Sequence, residues 1–364
     1  MRILMISHTT LPWTADYASY FCKSGDDVLV ISFSPGEIPG VAVEFVGTIP
    51  FNKYANKHQF LTRVPRIQAI ARQYSPDVVF ATYVVSNGLS AALCGAGPLV
   101  LDAVGGDVRD SYPPGDWRGV AKRFVLRCIC DRATAVHSWS AELSDRLIGL
   151  GVSRSQIVEW PMGVDVDAYR PPRQPAPGNS LVCTRKHEPI YDIRTIIDAL
   201  AILRGWGTDF ACTFVGGGHL LDEHRARADA AGIGACLQFT GAVPKSMIGG
   251  MLQAAGVYIS SSLADGTSSS LLEAMACGLV PVVSRIPANL PWIDDGRNGL
   301  LFEPGRPDQL ADALRRAIFD SELRARAAVE NRDRVTRDGN MATNLRRMSE
   351  LLRSAAGLGR RGAA

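Results

Sequence analysis

Lysine, net charge and long apolar runs are what this sequence has least of, and each shortage closes off a class of function. Only six of its 364 residues are lysine, against thirty-three arginines. The bias has no functional meaning by itself, but it leaves few lysines to inspect. Thirty-nine basic and thirty-six acidic side chains leave a formal charge of +3. That is too small for a chain that coats nucleic acid, so no nucleic-acid partner is expected. No run reaches the roughly eighteen apolar residues that cross a bilayer, so membrane contact would have to be peripheral. The opening MRILMISHTT has neither the apolar stretch nor the small-residue cleavage site of a secretory leader. It reads as a first strand over 3–7, and the expected location is the cytoplasm. Cysteines are scattered at 22, 94, 128, 130, 183, 212, 236 and 277, several inside apolar runs, the pattern of buried thiols in a reducing compartment. Cys128 and Cys130 form a C-x-C with no second pair or histidine at ligand spacing, so no metal is expected.

What is present is enough apolar side chain, 46% of residues, for two sizeable cores, and a length that favours two domains over one. Short β-branched runs alternate with longer stretches of helical spacing. In the first half, strands are predicted at 3–6, 28–32, 41–46, 77–82, 99–102, 133–136 and 157–160. Helices are predicted at 13–24, 61–74, 117–130 and 140–150, the last capped by Ser138 or Ser140. Such alternation builds a parallel sheet with helical crossovers. Five prolines between 161 and 177, followed by Gly178 and Asn179, mark an exposed linker. A second alternation follows, with strands at 181–184, 210–215, 237–239, 257–260, 281–283 and 300–302 and helices at 190–204, 220–231, 244–254 and 270–276. Long surface helices are predicted at 308–330 and 338–354. The expected division is a domain at 1–168, a linker at 169–179, a second domain at 180–337, a helix at 338–354 that returns to the first domain, and a frayed tail at 355–364. Each half presents loops at the carboxyl ends of its strands, and facing loops would form a cleft.

The sharpest local feature is SSSLADGTSSSLLEAMACGLVPVVS at 260–284. A strand ends near Ser260, a loop of small residues holds Asp265, and a helix begins near Ser270. The loop amides from Gly266 to Leu271, with the positive end of that helix, offer what a diphosphate needs. Glu273 has two readings. With Ser270 three residues earlier it fits a capping box, the reading that local sequence prefers; alternatively its carboxylate accepts hydrogen bonds from vicinal sugar hydroxyls.

This stretch resembles the signature of the retaining glycosyltransferases of the large family four, also called glycosyltransferase group 1. That signature is a carboxylate, seven intervening residues and a glutamate, here Asp265 and Glu273, followed by Ala274, Met275, Ala276, Cys277, Gly278 and Pro281. The first carboxylate is usually glutamate, so Asp265 is one methylene shorter. The resemblance extends to Gly163-Val164-Asp165, Gly216 to Gly218, Phe239-Thr240-Gly241 and the stretch 295–300. It implies a GT-B fold, an α/β architecture of two facing Rossmann-like domains with an interdomain cleft. It implies transfer of a sugar from a UDP- or GDP-type donor to a hydroxyl of a glycoside, natural-product or lipid-linked acceptor. Retention would follow front-face attack, with the departing phosphate helping to deprotonate the acceptor and no cofactor or metal beyond the donor.

The same resemblance assigns roles. Glu273 would bind the donor ribose and Asp265 the hydroxyls of the transferred sugar. Backbone groups of Thr267, Ser268 and Ser269 would meet that sugar, and those of Leu271 and Leu272 the diphosphate. Gly216, Gly217 and Gly218 would let the backbone approach the nucleotide, with a mobile turn as the alternative, and Val243 with Pro244 would contact the base. Arg185 matches the phosphate-binding arginine, whose planar fork spans two phosphate oxygens. The lysine usual five or six residues later is replaced by Ile190 and Tyr191, and Lys186 would point to the opposite face of an extended strand.

In the first half, residues 9–14 stand where the family has a Gly-Gly loop, with Thr14 and the helix start as donors to phosphate. Loop 102–109 resembles a histidine-glycine segment with Val104 at the histidine's place and Asp107 as the nearby polar candidate. His137 is another candidate, with a structural role as its alternative. Trp117, Arg118, Lys122, Arg123, Phe124 and Arg127 give one helix a basic amphipathic character. It reads as a solvated helix with one buried stripe, or as peripheral contact with a lipid-linked acceptor at the inner membrane face. Two other functions would share nucleotide-sugar recognition: a non-hydrolysing epimerase with two Rossmann-like domains, and a noncatalytic binding protein.

Overall fold

The computed structural model describes residues 1–49, 58–109 and 117–357, without the side chains of 107, 109 and 117–119. Met1–Met162 with Ala342–Ala364 form one compact unit, and Gly163–Met341 form the other.

The first unit runs β1 (Arg2–Ser7), α1 (Pro12–Lys23), β2 (Asp27–Ser32), β3 (Ala42–Phe45), α2 (His58–Tyr74), β4 (Val78–Thr82), α3 (Asn87–Cys94) and β5 (Leu99–Ala103). It continues with α4 (Gly106–Arg109), α5 (Trp117–Cys130), β6 (Ala135–Ser138), α6 (Ala141–Gly149) and β7 (Ile157–Glu159). Among the described residues the strands pair in parallel in the order β3-β2-β1-β4-β5-β6-β7. Ile3 to Ile6 and all of β4 are buried, because helices cover both faces; this is why these strands read as unbroken apolar runs rather than as alternating ones. Ser140 caps α6 by accepting from the Leu143 amide. The sequence pattern does not reveal α3, whose Gly, Ser and Ala residues give it little amphipathic contrast.

The second unit runs β8 (Ser180–Cys183), a 3₁₀ turn at Pro189–Tyr191, α7 (Ile193–Gly205), β9 (Ala211–Phe214), α8 (Leu221–Ala230), β10 (Leu237–Phe239), α9 (Lys245–Gln253) and β11 (Val257–Ser260). It continues with α10 (Ser269–Ala276), β12 (Val280–Ser284), β13 (Leu300–Phe302), α11 (Pro307–Phe319) and α12 (Ser321–Asp338). Its parallel order is β10-β9-β8-β11-β12-β13. Side chains alternate between two cores: Leu181, Cys183, Val257 and Ile259 pack with one set of helices, Val182 and Tyr258 with α10 and Val335 on the other face.

The units divide at 162/163, just after Pro161 and ahead of the four prolines at 171–177. Val164, Val166 and Tyr169 are buried in the second unit's core, and the Val164 amide donates to the Gly339 carbonyl at 2.8 Å. The helix expected at 308–330 is two helices, because Asp320 leaves helical geometry and its carboxylate accepts from the Leu323 amide at 2.8 Å. The last helix, α13 (Met341–Ala355), lies with the first unit, where Arg353 donates to Asp26 at 2.8 Å and Asn344 to the Pro161 carbonyl at 2.9 Å. The tail beyond 357 lies outside the described residues. The cysteines are unpaired, and Cys128 is exposed rather than buried, since it lies off the Leu126, Ile129 and Cys130 stripe of α5.

Candidate active site

In the second sheet the strand order reverses between β8 and β11, and at such a reversal the loops leaving the two carboxyl ends diverge and open a crevice. The loop after β8 carries Arg185; the loop after β11 carries Asp265 and leads into α10. The fold therefore brings together residues eighty positions apart.

Arg185 is buried, and its guanidinium is held on every side. Nε donates to Ser260 Oγ at 3.3 Å, Nη1 donates to Ser270 Oγ at 3.0 Å, and Nη2 is paired with Asp265 Oδ2. The Tyr191 ring lies beneath it, 4.7 Å from ring centroid to guanidinium carbon. Burial works against the charge, but the Asp265 carboxylate and the surrounding tyrosines outweigh it and hold the guanidinium above its ordinary range. The place of the expected lysine is thus taken by an aromatic face that packs against the arginine. Loop 189–192 is held there by Ser261, whose hydroxyl donates to the carbonyls of Tyr191 and Asp192 at 2.9 and 2.8 Å. Lys186 is exposed.

The start of α10 removes the capping-box reading of Glu273. The cap is Ser268, not Ser270: its side chain accepts from the Leu271 amide at 3.2 Å, and Ser270 lies inside the helix bonded to Arg185. Glu273 is therefore five positions beyond the cap and has no capping-box partner. Its carboxyl lies near the Tyr169 hydroxyl, with no hydrogen bond formed between them. Burial raises its pKa, while Tyr169, Lys245 and Arg185 favour the charged form. Of the loop amides, that of Gly266 donates to Asp265 Oδ1 at 2.9 Å and that of Leu272 to the Ser268 carbonyl at 3.1 Å. Leu271 and Leu272 bury their side chains in the core, and their amides are both bonded to Ser268. Thr267, Ser268 and Ser269 form the turn ahead of and into the helix.

The triple glycine is not a mobile turn. A Cβ at Gly216 would stand 2.6 Å from the Arg185 carbonyl oxygen, and one at Gly218 would stand 2.4 Å from that of His187. The two glycines let this loop press against the backbone of 185–187, joined by a His187 amide bond to the Gly217 carbonyl at 2.9 Å. A second link that sequence reasoning missed is His187 Nδ1 to His224 Nδ1 at 2.8 Å, between two buried rings. Val243 is half-buried against the core beside this loop.

The first-unit candidates fare differently. Thr14 is fully buried, with its hydroxyl 2.7 Å from that of Ser7 and its amide bonded to the Leu11 carbonyl at 3.0 Å, so both of its donors have partners inside the fold. His137 is fully buried between Asp102 Oδ1 at 2.8 Å and the Trp160 carbonyl at 2.9 Å, a structural placement. Asp107 lies on α4, and its side chain is outside the described part. Helix α5 buries Leu126, Ile129 and Cys130, while Phe124 is 69% exposed beside Lys122 and Arg127.

Two family models account for nearly the whole chain: "Glycosyl transferases group 1" matches residues 176–334 and "Glycosyltransferase Family 4" matches residues 13–168. The chain belongs to the family 4 glycosyltransferases. A phosphatidyl-myo-inositol mannosyltransferase of Mycobacterium leprae is 30% identical over 189 residues, half of each chain. The sulfoquinovosyl transferase SQD2 of Arabidopsis thaliana is 23% identical over 331 residues, covering 85% of this chain and 63% of that one. The matched stretches thus span about a quarter to two thirds of these curated relatives. Anabaena Alr3699/HepE, solved in complex with UDP, superposes with a TM-score of 0.79 at 18% identity over 97% of this chain and 100% of that one, and shares the family's GT-B fold. Among the described residues no group of three or more His, Cys, Asp or Glu could hold a metal, and no described helix is long and apolar enough to cross a membrane.

Proposed function

We propose that this chain transfers a sugar, with retention, from a nucleotide-diphosphate donor to a hydroxyl-bearing acceptor. The observation that carries the reading is the convergence of Arg185, Asp265 and the start of α10 where the second sheet's order reverses, with Glu273 released from any capping duty. Arg185 and the first-turn amides of α10 hold the diphosphate and take up the charge that grows on it as the glycosidic bond breaks, a task given elsewhere to a metal. Glu273 accepts from the ribose hydroxyls, and Asp265 from those of the sugar. The loop at 216–218 and the backbone at 243 border the nucleotide, while the first unit, with Asp107 as its polar candidate, receives the acceptor. The name of one matched relative, a phosphatidyl-myo-inositol mannosyltransferase, supports a lipid-linked acceptor, and the UDP held by the Anabaena protein supports a donor of this class.

The test is product analysis after incubation with a panel of UDP- and GDP-sugars and lipid extracts. Sugar on an acceptor with unchanged anomeric configuration is expected; an epimerised donor, or an unchanged donor despite saturable binding, overturns the reading. Glu273→Gln keeps the side chain's size but removes charge-assisted acceptance, so nucleotide affinity and transfer rate should each fall about tenfold or more.

A further inference from the structure

All three nitrogens of the Arg185 guanidinium are already engaged, and only one of the engaged partners is charged. Ser260 and Ser270 are neutral and are fixed by β11 and α10. Asp265 is a carboxylate on a loop, anchored at its other oxygen by the neighbouring Gly266 amide at 2.9 Å. The Tyr191 ring closes one face of the guanidinium, so a diphosphate cannot approach from that side. Three of the guanidinium's five N–H groups are used, so a phosphate can reach the second hydrogen of Nη1 or Nη2; there it shares one cation with the Asp265 carboxylate, and two anions lie side by side in a largely desolvated place.

Given the reading of this site as a nucleotide-sugar site, on which the inference rests, the two ligands of the catalytic cycle differ in what they bring. A nucleoside diphosphate brings acceptors alone to this corner. An intact sugar nucleotide also brings vicinal hydroxyls, which donate. We propose that Asp265 competes with the diphosphate for Arg185, and that the sugar's hydroxyls relieve this competition. Asp265 is thereby the residue that makes the site prefer the intact donor over the nucleoside diphosphate left after transfer, and it speeds product release. Its role in orienting the sugar and its role in masking the arginine are two positions of one carboxylate.

The experiment is calorimetric titration of UDP, GDP, UDP-glucose and GDP-mannose into the full chain and into Asp265→Asn, Arg185→Ala and the double variant, each first melted to establish that it is folded. Asp265→Ser serves as a second variant should the amide disturb the loop. With Arg185 unmasked, D265N is expected to bind the cognate nucleoside diphosphate about tenfold tighter than the natural protein does. Its preference for the sugar nucleotide should shrink by a similar factor, and in the Arg185→Ala background the substitution should change neither affinity. A folded D265N that binds the nucleoside diphosphate no tighter overturns the competition, as does an equal gain in the absence of Arg185, which would mark a general charge effect. If R185A loses the nucleoside diphosphate while D265N leaves it unchanged, the site reading stands and the competition alone is wrong. If neither UDP nor GDP binds any of the proteins, both fall together.

Discussion

A buried histidine pair joins the loop that carries Arg185 to α8, and its protonation is tied to folding. The two Nδ1 atoms of His187 and His224 are 2.8 Å apart, so one ring donates and the other accepts, which requires the accepting ring to be neutral and forbids both rings being charged. Burial, then the charges of His224 and Arg225, lower the His187 pKa from 6.5 to about 4. A base whose folded pKa is depressed binds its proton more readily when unfolded, so its contribution is complete above pH 6.5 and is lost as the pH falls toward 4. The full loss is roughly 3 kcal/mol for such a displacement. His8 is lowered to about 4 by burial in the first unit and adds a second component of the same sign. Urea unfolding from pH 7 to pH 4 should show stability falling with acid, and His187→Gln should flatten that slope. An unchanged slope in the variant would remove His187 as a source.

At the scale of elements, the segment 185–192 is shaped less by its own propensities than by what presses on it. The glycine loop on one side, the Ser261 hydroxyl on another and the His224 ring on a third leave its backbone one arrangement. The glycines differ in a way that can be measured. A Cβ at Gly217 would meet the Ala242 Cβ at 3.4 Å, an ordinary contact, whereas one at Gly218 would lie 2.4 Å from the His187 carbonyl oxygen at a φ of +153°. Gly217→Ala is expected to cost under about 1 kcal/mol and to keep transfer. Gly218→Ala should cost roughly 2–4 kcal/mol and reduce nucleotide binding as well, because the strain falls on the backbone that carries Arg185. Denaturant unfolding with parallel nucleotide titration checks both, and equal behaviour of the two variants would contradict the assigned contacts.

At the scale of the whole molecule, the order of the chain and the order of the compact units do not coincide. The last helix leaves the second unit at Met341 and completes the first, burying Leu345, Met348 and Leu352 along one stripe and pairing Arg353 with Asp26. Leu352→Ala, at a fully buried position, should destabilise the first unit by roughly 2–5 kcal/mol. Nucleotide affinity, which the proposed function assigns to groups within Gly163–Met341, should persist in that variant at temperatures where the first unit has begun to melt. Hydrogen exchange resolved by segment, run with a nucleotide titration, distinguishes this from loss of both together.

The sequence by itself determined the α/β class, the place of nearly every strand, and the Asp265 to Glu273 spacing, because these rest on local periodicity and on motifs read within one segment. Shifts such as that of β6 to Ala135–Ser138 are boundary effects of the same local signal. What only the tertiary structure decided involves partners far apart in the chain. Glu273 reads as a capping residue until Ser268 is seen to hold the cap and Tyr169, over a hundred residues earlier, is seen to lie near its carboxyl. Tyr191 reads as a missing lysine until its ring is found against Arg185. Thr14 reads as a phosphate donor until Ser7 is found to occupy its hydroxyl. In each case the backbone pattern allows several roles, and packing across the sheet, not neighbours along the chain, removes one of them by engaging or withdrawing the groups it would need.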